Sequence, residues 1–174
     1  MDPKYIPAVV ITILVVLAVI GLILLGWRNR RRRQAHVPAP AALPSELSEP
    51  RTEIEGSYVV TTSAGDRLDR IAAHELGTRG PALLSVGADG VAVLREGMPN
   101  FFVPAAELEL VDTTSNMVGK AVEKDGIVVL RHTHDGFGFD TGFRPRYHQQ
   151  KAELLSALRA LVPAGTTTPG KDSK

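Results

Sequence analysis

Two histidines one residue apart, within Arg131-His132-Thr133-His134-Asp135, come nearest in this sequence to residue types and spacing that could do chemistry. On a β-strand alternate side chains share a face, so His132 and His134 would project together, and two imidazoles beside a carboxylate are the beginning of a metal site. Zinc sites need a third or fourth ligand at defined geometry. His74 and His148 are the other histidines of the carboxy-terminal part, with no spacing that ties them to the pair, so two histidines near a hairpin turn and no bound metal is the expectation.

Other chemistries find less. The chain has no cysteine, which excludes a disulfide scaffold, a thiol nucleophile, a lipid-modified cysteine anchor and thiolate metal ligands. No glycine-rich phosphate loop, nucleophile elbow or paired-acid motif occurs in a fitting context. Gly136-Phe137-Gly138 reads as a hairpin element whose glycines permit a bulge. In Ala64-Gly65-Asp66-Arg67-Leu68-Asp69-Arg70 the two arginines alternate with two aspartates, so the loop lacks the concentrated positive potential that phosphate recognition demands. Nor is there a basic stripe with interleaved aromatics for nucleic acid. The sequence therefore predicts no catalytic residues, no cofactor and no small-molecule substrate.

The strongest pattern is physical. Twenty Lys and Arg balance 19 Asp and Glu, for a net charge of +1, but Arg28, Arg30, Arg31, Arg32 and Arg33 are clustered. They follow Ile6 to Gly26, a run without a charged side chain that as a helix is about 30 Å long, the thickness of a bilayer core. Tyr5 and Trp27 bracket the run as interfacial aromatics do. A cleaved signal peptide would carry its basic residues before the apolar stretch, not after it. The expectation is a transmembrane helix over 6–27, a short extracytoplasmic end over 1–5, and a basic cluster over 28–33 that faces the cytoplasm and contacts anionic lipid headgroups.

Residues 34–55, with Pro38, Pro40, Pro44 and Pro50, read as a disordered Pro/Ala/Glu tether, and 164–174 as a disordered tail. Between them one domain over 56–163 is expected. Tyr58–Thr62, Ala82–Val86, Val91–Arg95, Phe101–Val103, Leu108–Thr113, Ile127–Thr133 and Phe137–Phe143 have strand character, with turn residues between them. Leu68–Ala73 is ambiguous between strand and short helix. Phe137, Phe139, Thr141 and Phe143 share one face by alternation. The period then lengthens to that of a helix: Pro145 suits a helix start, and Leu154, Leu155, Leu158, Leu161 and Val162 form one stripe ending at Pro163. The fold class is one amino-terminal transmembrane helix plus a mainly β domain, a seven-stranded partly open barrel or sandwich capped by a carboxy-terminal helix.

Tyr58-Val59-Val60-Thr61-Thr62, Leu68-Asp69-Arg70-Ile71-Ala72-Ala73-His74, Leu76-Gly77-Thr78-Arg79 and Asp140-Thr141-Gly142-Phe143-Arg144 resemble the bacterial pleckstrin-homology-like domain. With the span included, the chain resembles small actinobacterial single-pass membrane proteins, often labelled putative export or transporter proteins. The resemblance implies a fold more than an activity. With the span and arginine cluster read above, the expectation is a non-enzymatic interaction or scaffold module, anchored in the cell membrane with its amino terminus outside, that recruits a protein partner to the inner face. The alternatives are a metal-dependent or ligand-responsive site on the His132/His134 face and an accessory role in an export or transport system.

Overall fold

The computed structural model describes residues 6–34, 36–121 and 125–163. The expected extracytoplasmic end with Tyr5, the tail from residue 164, and the side chains of 6–9, 27–33, 120 and 121 lie outside that description. The chain divides into two compact units, Met1–His36 and Val37–Lys174.

The first unit contains one helix, α1 (Ile6–Arg33), 28 residues long. Its Val, Ile and Leu side chains between Val10 and Leu25 stand 47% to 69% exposed. Among the described residues no helix is long and apolar enough to cross a membrane. The described side chains of α1 run only from Val10 to Gly26, about 26 Å of helix at 1.5 Å per residue.

In the second unit, β1 (Thr52–Ser63), β2 (Gly80–Val86), β3 (Gly90–Arg95), β4 (Phe101–Pro104), β5 (Leu108–Thr114), β8 (Ile127–His134) and β9 (Phe137–Pro145) form one antiparallel sheet in the order β4-β3-β2-β1-β9-β8-β5. The strand spacing left a sandwich or a partly open barrel open, and the sheet is a curled, seven-stranded half-barrel. The turns are chemically legible. Asp135 and Gly136 join β8 to β9 with φ of 49° and 76°, the left-handed pair that a two-residue hairpin needs.

Alternation then sorts the side chains. Leu84, Val91, Val93, Phe101, Val103, Phe139 and Phe143 join Tyr58 and Ile54 in the main core. Phe137, Phe139, Thr141 and Phe143 do share a face, with Phe139 and Phe143 fully buried. The opposite face carries a smaller cluster of Val59, Val60, Ile127 and Val129, roofed by Met117. Met117 sits on a short hairpin, β6 (Asn116–Met117) and β7 (Lys120–Ala121), which the sequence pattern did not reveal. Gly142 makes room for it: a Cβ there would lie 2.5 Å from the Met117 sulfur.

The closing helix is α2 (Gln150–Arg159), packed against β1 and β5. Three expectations are corrected here. Pro145 does not open the helix; it ends β9, paired with Gly56. The helix plugs the core with Leu154 and Leu158, whereas Leu155 is only half-buried at the margin. Leu68–Ala73 forms no continuous strand or helix, only a bridge from Arg70 to Thr62 and the start of a 3-10 turn at Ala73, because Asp66 accepts from the amides of Leu68 and Asp69 and curls the chain into a turn, leaving Leu68 74% exposed.

The largest correction concerns the tether. Thr52–Glu55 are already part of β1, with Ile54 in the core. Upstream, Val37 is 5% exposed within the main core, the Phe102 amide donates to the Ala41 carbonyl at 2.8 Å, and the Ala88 amide donates to the Ser48 hydroxyl at 3.0 Å. Proline-rich composition signals extended backbone, and extended backbone can lie along a sheet edge as readily as in solvent. Residues 37–50 form a strap on the domain, leaving Gln34 to His36 between α1 and Val37.

Candidate functional site

The His132/His134 motif lands on β8, at the register His132↔Phe139 and His134↔Phe137. The two side chains then part company. His132 is 2% exposed, stacked on Phe139 with centroids 5.1 Å apart and planes 17° from parallel. Its Nε2 lies 3.3 Å from the Thr141 hydroxyl, and its Nδ1 is buried without a hydrogen bond. Burial, aided by the neighbouring His134 and opposed by Asp140, pushes its pKa down to about 4, so the ring is neutral at ordinary pH. His134 stands nearer the surface, with Nδ1 2.9 Å from both carboxylate oxygens of Glu107 and Nε2 3.8 Å from Asp135. His74 turns instead to the Val37 carbonyl at 3.0 Å, and His148 is exposed. Among the described residues no group of three His, Cys, Asp or Glu could hold a metal ion.

His132 terminates a buried polar chain. The Tyr58 hydroxyl donates to the Leu76 carbonyl at 2.6 Å and lies 2.6 Å from the Thr61 hydroxyl, which lies 2.9 Å from that of Thr141. Burial pushes the Tyr58 pKa up to about 12, so the phenol keeps its proton. A chain of neutral hydroxyls ending on a neutral imidazole fixes side chains in the interior.

The 64–70 loop is held down by its own charges. Arg67 donates to Thr114 at 2.9 Å and pairs with Asp112 at 3.3 Å, while Arg70 donates to the Gly77 carbonyl. Below it Arg131 grips Asp140 with two bonds of 2.7 and 2.8 Å, and the second Asp140 oxygen also accepts from the Gly65 amide at 3.0 Å. That bidentate pair holds Arg131 above its already high pKa. The loop arginines are therefore engaged by the domain's own acceptors, Arg67 at the surface.

The site that sequence reasoning missed surrounds Arg95. Its guanidinium lies 4.8 Å from the Tyr58 ring centroid and 5.1 Å from that of Phe101. It donates to the Pro99 carbonyl through Nε at 2.9 Å and again through Nη2, and to the Glu75 carbonyl through Nη1 at 3.0 Å. The residue is 5% exposed, and burial lowers its pKa. A signal was available: Val91, Val93 and Arg95 alternate along β3, so the arginine stands on the inward face. On the outside of β1–β3 an open depression of about 490 Å³ is lined by Glu55, Leu83, Leu94, Glu96, Asn100 and Arg146, with Glu55 and Arg146 paired at 3.2 Å.

Comparison with curated proteins finds no match. Among solved structures, a chain from one titled "The 8S snRNP Assembly Intermediate" is similar at 10% identity and a TM-score of 0.49, over 75% of this chain and 97% of that one. A family model described as "Bacterial PH domain-like" matches residues 37–159, beginning at the residue where the strap enters the core. The chain belongs to the bacterial PH domain-like family.

Proposed function

We propose that this protein is a non-enzymatic interaction module, anchored in the cell membrane by α1, that recruits a protein partner to the cytoplasmic face. The observation that carries the reading is α1 itself. In the sequence its uncharged run, Ile6 to Gly26, corresponds to about 30 Å of helix, the thickness of a bilayer core. Its described apolar side chains are exposed on all sides, the condition of a helix whose solvent is lipid rather than water. In the sequence Arg28 and Arg30–Arg33 follow the apolar stretch, which supports an outside amino terminus and a cytoplasmic domain, with the arginines against anionic headgroups.

The domain's chemistry supports recruitment over catalysis. His132 is neutral and internal, and Arg67, Arg70 and Arg131 are engaged with the domain's own acceptors. The open depression on β1–β3 offers both charge signs and the apolar Leu83 and Leu94, a surface suited to a protein contact.

Carbonate extraction of membranes, combined with a topology reporter fused after Lys174, tests this. The protein should stay in the carbonate-washed membrane and the reporter should be active only in the cytoplasm. Release by carbonate would remove the anchor, and an extracytoplasmic reporter would reverse the orientation.

A further inference from the structure

The two end strands of the sheet are finished differently. At one end β4 is covered by its own chain, since the Phe102 amide donates to the Ala41 carbonyl. At the other end β5 pairs with β8 alone, and among the described residues no further strand lies on its outer edge. Leu110 to Thr114 meet five consecutive partners on β8, from Arg131 to Ile127, and no described backbone bond outside that ladder reaches them. An end strand in such regular register leaves N–H and C=O groups for one more extended chain.

The side chains determine what that chain must carry. Leu108 and Val111 are buried on the inner face of β5, in the main core that α2 closes. Toward the other face Glu109 accepts from the Thr133 hydroxyl at 2.6 Å, and Asp112 pairs with Arg67 at 3.3 Å, both of these partners half exposed. Glu107, just before β5, and Asp140, paired with Arg131, add two more carboxylates. Two arginines among four carboxylates leave this edge net negative, and His134 beside Glu107 offsets one charge only when protonated.

Such charges repel a second copy of the same strand and admit a basic one. Alternation sets the pattern, because successive side chains of an added strand fall beside the apolar inner face and the acidic outer face in turn. We propose that the β5 edge takes an extended segment of a protein partner in which Lys or Arg alternates with Val, Ile or Leu. The inference rests on the reading of the domain as a recruiting module, and not on the anchor.

The test uses the full chain in a neutral detergent. Its probe is a fluorescent eight-residue peptide alternating Lys and Val, with a Glu/Val peptide of equal length as control. By fluorescence anisotropy the Lys/Val probe should bind about tenfold more tightly, by a margin that shrinks with added salt. Glu109→Lys with Asp112→Lys should reverse the order. Glu109→Gln with Asp112→Asn, which keeps the side-chain shapes, should abolish the margin and serves where reversal costs the fold. Hydrogen exchange should slow at residues 110–114 and stay unchanged at 101–104. Equal binding of the two peptides, or a margin indifferent to both double substitutions, overturns the proposal. Protection around Leu83 and Leu94 instead of β5 overturns this site while leaving recruitment standing, and none of these results bears on carbonate extraction.

Discussion

Arg131 and Arg95 hold down opposite regions of the same sheet by different means. Arg131 meets a carboxylate, Asp140, directly across the β8–β9 ladder, and the pair pins the Gly65 turn from outside. Arg95 is held chiefly by carbonyls, with the Glu75 charge acting on it from further off: it fills the inside of β3 with three bonds to carbonyls and two aromatic faces, fixing the 97–100 turn and the Glu75 backbone. A cross-strand ion pair can be exchanged for other partners at modest loss because one end remains half-solvated. A buried guanidinium held by backbone carbonyls has no substitute, since its loss leaves those carbonyls unpaired.

Breaking the strap region outright should have the largest effect. A chain beginning at residue 56 lacks Val37, Ile54 and the first four residues of β1, and should not fold cooperatively by circular dichroism and denaturant melts, whereas one beginning at residue 37 should. Equal stability of the two would return residues 34–55 to the status of a tether. Arg95→Ala should come next, at about 3 to 5 kcal/mol in urea denaturation, because a buried charge and its acceptors lose one another. Asp140→Ala should cost less, about 1 to 3 kcal/mol, since Arg131 can turn to water while the Gly65 amide loses its acceptor. A reversed order would mean that the ion pair, not the carbonyl-held arginine, organises the sheet.

Acid should act through His132. Its folded pKa of about 4 lies below the ordinary value of 6.5, so the native state binds fewer protons than the unfolded state between those values. Stability is complete above about pH 6.5 and falls as pH drops toward 4, by roughly 3 kcal/mol in all. His132→Leu should flatten that slope. His134→Ala, which loses a pair with Glu107 near the surface, should change stability by less than about 1 kcal/mol.

How much of this was legible follows the physics of each element. Strands β2, β3, β4, β5, β8 and β9 announced themselves through β-branched alternation between turn residues, and the aromatic face of β9 was read from period alone. Composition misled at 34–55, because prolines report an extended backbone and not whether an edge strand lies beside it. The histidine pair was visible, but its fate depended on Phe139 and Thr141 across the ladder, and burial is set by the sheet's curvature. Arg95 was overlooked because a charged residue at a strand end reads as solvated, although its alternation with Val91 and Val93 placed it inward.

The central claim is that the residues resembling chemistry serve the interior of the domain. Histidine imidazole resonances followed by NMR across pH 3 to 8, on the protein from residue 37 to 163, test it most directly. The account predicts one ring, assigned to His132 by its loss in His132→Leu, that titrates at about 4 and is unmoved by added zinc. A His132 that titrates near 6.5, or shifts together with His134 on stoichiometric zinc, would place the pair at an accessible site and contradict it.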